Sequence, residues 1–110
     1  VSARGPHKAA RWLLWEIERQ ENLHDGWATT TGIVSAFCQH MTDRAPDVAR
    51  SVLAGWADKG LRRLKAQGLA EKFHPPMWGH GQALPWRLTD AGRAELARRR
   101  AIIEERTTGA

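Results

Sequence analysis

The chain has one cysteine, Cys38, no tyrosine and only two phenylalanines in 110 residues. A lone cysteine excludes an internal disulfide and suits a reducing compartment, so a cytoplasmic location is the expectation. No stretch approaches the roughly 18 consecutive apolar residues of a membrane span, so no membrane partner is expected. Residues 1–6 also lack the apolar run of a secretory leader. No Gly-rich phosphate loop, HExxH, GxSxG or paired CxxC occurs, so neither catalysis nor a bound cofactor is expected. Cys38 and His40 lie two apart on a helical pattern and point to different faces, which excludes a nucleophile–base pair. His74 and His80 flank a loop without a nearby third ligand, so no metal site is expected either.

What is present is positive charge. Hydrophobic residues make up 42% and charged residues 26%, as in an ordinary globular domain, but the net charge is +5. That balance favours polyanions, nucleic acid or anionic membrane surfaces. Arginine far outnumbers lysine and alanine is abundant, which suggests a GC-rich bacterial or phage coding sequence.

Hydrophobic periodicity divides the chain into one domain, 1–110, with five segments. Over 6–23, Ala10, Leu13, Leu14 and Ile17 share one helical face, Trp12 and Trp15 widen it, and Glu16, Arg19 and Gln20 make the wet side. Gly26 suits the turn that follows, and 27–29 reads as a short extended piece. A second helix over 30–42 is capped by Thr30 or Thr31 and carries Ile33, Phe37 and Met41. A longer pattern over 46–67 runs through Val48, Val52, Leu53, Ala57, Leu61 and Leu64. Gly55 and Gly60 inside it suggest two helices, or one bent near Gly55. Gly68 ends the pattern, and 69–88 reads as two strands, 69–74 and 84–88, around a loop rich in Pro and Gly. Pro85 argues for a sheet edge there. Thr89 caps a final helix over 89–106, with Leu96, Ile102 and Ile103 as its larger apolar residues. Trp12, Trp15, Trp27 and Trp56 are expected to build the core. The fold class is therefore mainly α, with three N-terminal helices (and room for an extra short one), a two-stranded hairpin and a C-terminal helix.

Two local motifs make this order specific. Leu61-Arg62-Arg63-Leu64-Lys65-Ala66-Gln67-Gly68-Leu69 resembles the end of the recognition helix and the entry to the wing in winged helix-turn-helix regulators. Trp86-Arg87-Leu88-Thr89-Asp90-Ala91-Gly92-Arg93 resembles their exit from the wing. Together they are similar to the PadR and MarR groups of bacterial transcriptional regulators. The resemblance covers roughly residues 50–100 well and the N-terminal half in outline. The 31 positions from Thr30 to Leu61 exceed a compact helix-turn-helix by about ten, and an added turn or short helix around 45–53 would absorb them.

The resemblance implies sequence-specific binding of double-stranded DNA and a homodimer built by the C-terminal helix. At 100° per residue, Ser51, Gly55, Lys59, Arg62 and Ala66 lie opposite the core stripe, with Arg63 at the edge and Asp58 as a contrary charge. Small residues alternating with cations let a helix approach a groove closely. In the wing, Lys72, His74, His80 and Arg87 are placed to meet phosphates. Trp78 at the tip folds back onto the domain, meets a partner protein or touches nucleic acid. The rival readings are a winged helix that grips another protein as an assembly factor, and an accessory replication or excision protein of a mobile element.

Overall fold

The computed structural model describes residues 8–24, 26–76 and 84–108. They form α1 (Lys8–Leu23), α2 (Thr30–Thr42), α3 (Arg50–Ala66), β1 (Ala70–Lys72), β2 (Trp86–Leu88) and α4 (Asp90–Thr108). The architecture is three helices, an antiparallel β1–β2 hairpin and a C-terminal helix. Its order is compatible with winged-helix topology.

α1 is the central element, and α2, α3 and β2 all pack on it. Ala10, Leu13, Leu14 and Ile17 are fully buried, as the stripe requires. The supposed wet side is wet only in part. Arg19 is exposed, but Glu16 and Gln20 are buried, because α2 covers that flank as well. Gln20 donates to Glu16 (2.7 Å) and Arg19 pairs with it (2.5 Å), so the buried carboxylate is satisfied. Gly60 marks where α3 crosses α1. A Cβ there would stand 2.4 Å from Leu13 Cδ1, so any larger residue would force the buried Leu13 side chain to shift.

Several boundaries differ from the sequence reading, among them that of α4, which runs to Thr108 rather than 106. The cap of α2 is Thr29, whose Oγ1 accepts from Gly32 N–H (3.0 Å), rather than Thr30 or Thr31. The reason lies next to it. Ala28 exchanges two backbone hydrogen bonds with Trp86 (2.8 and 2.7 Å), which holds the chain extended up to Thr29. β2 is bridged at Trp86 alone on its outer side, so it remains an edge strand of a two-stranded sheet, and the N–H that Pro85 lacks ends the ladder.

α3 is a single helix that begins at Arg50, not 46, and runs unbroken through Gly55. Val48 N–H bonds back to Ala45 and Ala49 is extended, so the helix starts only when Val52 and Leu53 donate to Ala49. Residues 43–49 form a turn that takes up part of the extra length. The strands are shorter than 69–74 and 84–88, pairing Ala70 with Leu88, Glu71 with Arg87 and Lys72 with Trp86. One further bond, Phe73 N–H to Pro85 (3.1 Å), continues the ladder before it stops.

The two motifs singled out above meet in space. Gly68 adopts φ +74° and turns the chain out of α3. Thr89 Oγ1 donates to Gly68 O (2.6 Å) and accepts from Gly92 N–H (3.0 Å), while Thr89 N–H donates to Leu69 O (3.1 Å). Thr89 therefore caps α4 and clasps both ends of the hairpin. A second tie is buried. Glu21 Oε2 accepts from Leu88 N–H (2.6 Å) and Oε1 pairs with Arg93 (2.9 Å), fixing α1 to β2 and α4.

The tryptophans sort differently from expectation. Trp86 belongs to the core at 4% exposure, its Nε1–H donating to Thr30 Oγ1 (3.0 Å). Trp12, Trp15 and Trp27 are half-buried, and Trp56 is 40% exposed. The buried arc of α3 is Leu53, Ala57, Gly60, Leu61 and Leu64, and Trp56 lies on its flank. On α4, Leu96 is buried, Ile102 half-buried and Ile103 exposed.

Candidate nucleic-acid interface

α3 presents two distinct surfaces. Its outer face, opposite the core, carries Ser51, Gly55, Arg62 and Ala66, all exposed. Arg62 is not free on it. Its Nε lies 3.0 Å from Asp58 Oδ2, one helical turn earlier. Because both groups are largely exposed, the pair is weak and can exchange for another anion. Lys59 and Arg63 are also exposed; Lys59 stands at the margin of the outer face, and both border the flank toward α1 that holds Trp56.

Gly55 gives this face a use for its missing side chain. A Cβ there meets nothing within 4 Å, so Gly55→Ala is expected to stabilise the domain by about 1 kcal/mol in denaturant melts. A loss of stability instead would show that Gly55 serves a backbone conformation rather than close approach.

On the hairpin the cations are engaged. Arg87 Nε pairs with Glu71 (2.8 Å) and its guanidinium lies over the Phe73 ring, 4.6 Å from the centroid. Lys72 lies 5.3 Å from the centroid of Trp86. His74 Nδ1 is 3.0 Å from Pro75 O, a contact made when that nitrogen carries the proton. The structure thus brings Lys72 and Arg87 together with aromatic partners, and separates them from Lys59 and Arg63. His80 and Trp78 lie outside the described residues.

Sequence reasoning missed a second feature. A groove of about 1200 Å³ opens between α1, α2, α3 and the far end of α4. Trp12, Trp15, Phe37, Met41, Trp56 and Ile103 supply its apolar surface, and cations from α1, α3, α4 and the turn after α2 rim it. Among the described residues no carboxylate lines it. Trp12 packs its edge on Phe37 and stacks with His40, ring centroids 4.5 Å apart. Burial first, and then the neighbouring Arg44, holds His40 below the ordinary histidine pKa, while Glu16 pulls the other way. Arg100 lies over Trp15 and pairs with Glu18. The local signal was the spacing Trp56, Lys59, Arg63, which puts an aromatic and two cations on one flank. The approach of α4, which completes the groove, leaves no trace in local sequence.

Among the described residues, no group of three or more His, Cys, Asp and Glu is placed to hold a metal. None of their helices is long and apolar enough to cross a membrane. Comparison with known proteins finds no family, no curated protein and no solved structure that matches the chain.

Proposed function

We propose that this domain binds double-stranded DNA as a winged helix-turn-helix transcriptional regulator, with α3 as the recognition helix and the hairpin as the wing. The observation that carries this reading is the outer face of α3. Ser51, Gly55 and Ala66 keep it low, Arg62 and Lys59 reach beyond it, and the whole face is exposed. The order of elements supports it further, and a single bridge from Ala28 to Trp86 ties the hairpin to the start of α2. The net charge of +5 supplies attraction to phosphates.

In this reading Asp58 restrains Arg62 until a better acceptor arrives. Base edges offer one, since guanine accepts a bidentate arginine. A homodimer through α4 would set the spacing of paired half-sites.

The test is duplex binding by the Lys59→Ala/Arg62→Ala double variant, using duplexes selected from a random-sequence pool. Two contacts of about 1–3 kcal/mol each predict at least a tenfold loss of affinity, and thermal stability stays nearly unchanged because both side chains are exposed. Asp58→Ala is expected to act in the opposite direction. Affinity that does not change in the double variant would remove α3 as the reading helix.

A further inference from the structure

The tryptophan groove lies beside the outer face of α3 and shares only Lys59 with the DNA reading. Three properties define what could fill it. Trp56 and Ile103 leave 40% and 54% of their surface in contact with water, a cost that a partner would relieve. Lys8, Arg11, Lys59, Arg63 and Arg106 stand on its rim with no ion pair among the described residues. The absence of any lining carboxylate makes the site complementary to negative charge.

Its size and shape narrow the choice. About 1200 Å³ exceeds the roughly 300–1,000 Å³ of small-molecule pockets and suits an element of secondary structure. Stacked bases are a poor fit, since one face of Trp12 is taken by His40 and one face of Trp15 by Arg100. A second copy of the chain is a poor fit too. The apolar residues of α4 do not form one stripe that could lie in it, with Leu96 turned to the core and Ile103 to solvent.

We infer that the groove docks an acidic amphipathic helix of a partner protein, its apolar residues against Trp56 and Ile103 and its carboxylates against Arg11, Arg63 and Arg106. The anchors would recur at i, i+3 or i+4, and i+7, as one face of a helix laid in a groove requires. This inference does not rest on DNA binding and stands or falls separately.

The experiment is selection of a displayed library of randomised helical peptides on the intact protein, with Trp56→Glu and Ile103→Glu as counter-screens. Both positions are exposed, so the variants should melt within a few degrees of the wild type. Arg63→Glu serves as a third variant should either one fail to fold. The expected result is a pool of net acidic peptides with bulky apolar residues at helical spacing. Individual peptides should bind either variant at least about tenfold more weakly, and should bind more weakly as salt rises. A pool that fails to enrich, enriches basic sequences or ignores the substitutions overturns the inference. Two further outcomes also overturn it. One is oligothymidine binding that Trp56→Glu abolishes, which would make the groove a nucleic-acid site. The other is light scattering that shows a dimer split by Ile103→Glu, which would make it a self-association surface.

Discussion

Gly92→Ala is expected to destabilise the domain by about 3 kcal/mol or more, lowering Tm by roughly 12 °C or beyond. Intrinsic propensity points the other way, since alanine favours a helix interior by about 1 kcal/mol over glycine. Geometry decides the sign. A Cβ on Gly92 would stand 2.0 Å from Leu69 O and 3.1 Å from its carbonyl carbon, and both are backbone atoms that no rotamer change can move. Relief would require α4 to lift from the start of β1. That movement breaks the bond from Thr89 N–H to Leu69 O (3.1 Å) and the bond from Thr89 Oγ1 to Gly68 O (2.6 Å). Paired melts of Gly92→Ala and Gly55→Ala check this directly, because the same substitution should move stability in opposite directions. A Gly92→Ala protein as stable as the wild type would mean that the clasp is not formed.

Glu21 is expected to give the second large effect. Its side chain is 5% exposed and divides its oxygens between Leu88 N–H and Arg93. Glu21→Ala leaves a buried N–H without an acceptor and should cost about 3 kcal/mol. Removing one partner of a buried ion pair can cost more, but Arg93 is 49% exposed and water replaces much of what it loses. Glu21→Gln retains an oxygen for Leu88 and loses the charge and the acceptor that Arg93 uses, so it should cost about 1 kcal/mol. Urea unfolding of both variants separates the two contributions. Equal losses would assign the effect to Arg93 and leave the Leu88 hydrogen bond without consequence.

The helices and the hairpin were legible because they depend on local patterns. The apolar stripe of α1, the range 30–42 of α2 and the punctuation at Gly68 and Thr89 all follow from neighbours within a turn or two. The misreadings share another origin, which is contact between residues far apart in the chain. Thr29, Thr30 and Thr31 are chemically equivalent caps, and only the bridge from Ala28 to Trp86 selects Thr29. Glu16 and Gln20 read as wet because periodicity describes one face, whereas α1 is covered on several. Nothing in the neighbourhood of Glu21 announces Leu88, 67 positions later.

The candidate site divides along the same line. Asp58 and Arg62 are four apart on one helix, so their opposition was visible before their ion pair was seen. The pairing of Arg87 with Glu71 depends on the hairpin register, which the loop between the strands conceals. Trp56 was assigned to the core on its residue type alone, and its position on the flank of α3 follows from which residues of that helix meet α1.

The clasp at Thr89 has an evolutionary consequence. Gly68, Leu69 and Gly92 hold the two ends of the hairpin at its root, and Glu21 secures the returning strand from beneath. Those ties at the root are what hold α4 to the rest of the domain. Closing a longer loop costs only about 0.6 kcal/mol for each doubling of its length. Lineages descended from this sequence can therefore lengthen, shorten or replace the segment between 76 and 84 while the helices stay as they are. Variation in length should gather there, and selection for purity of residue type should concentrate instead on Gly68, Thr89 and Gly92.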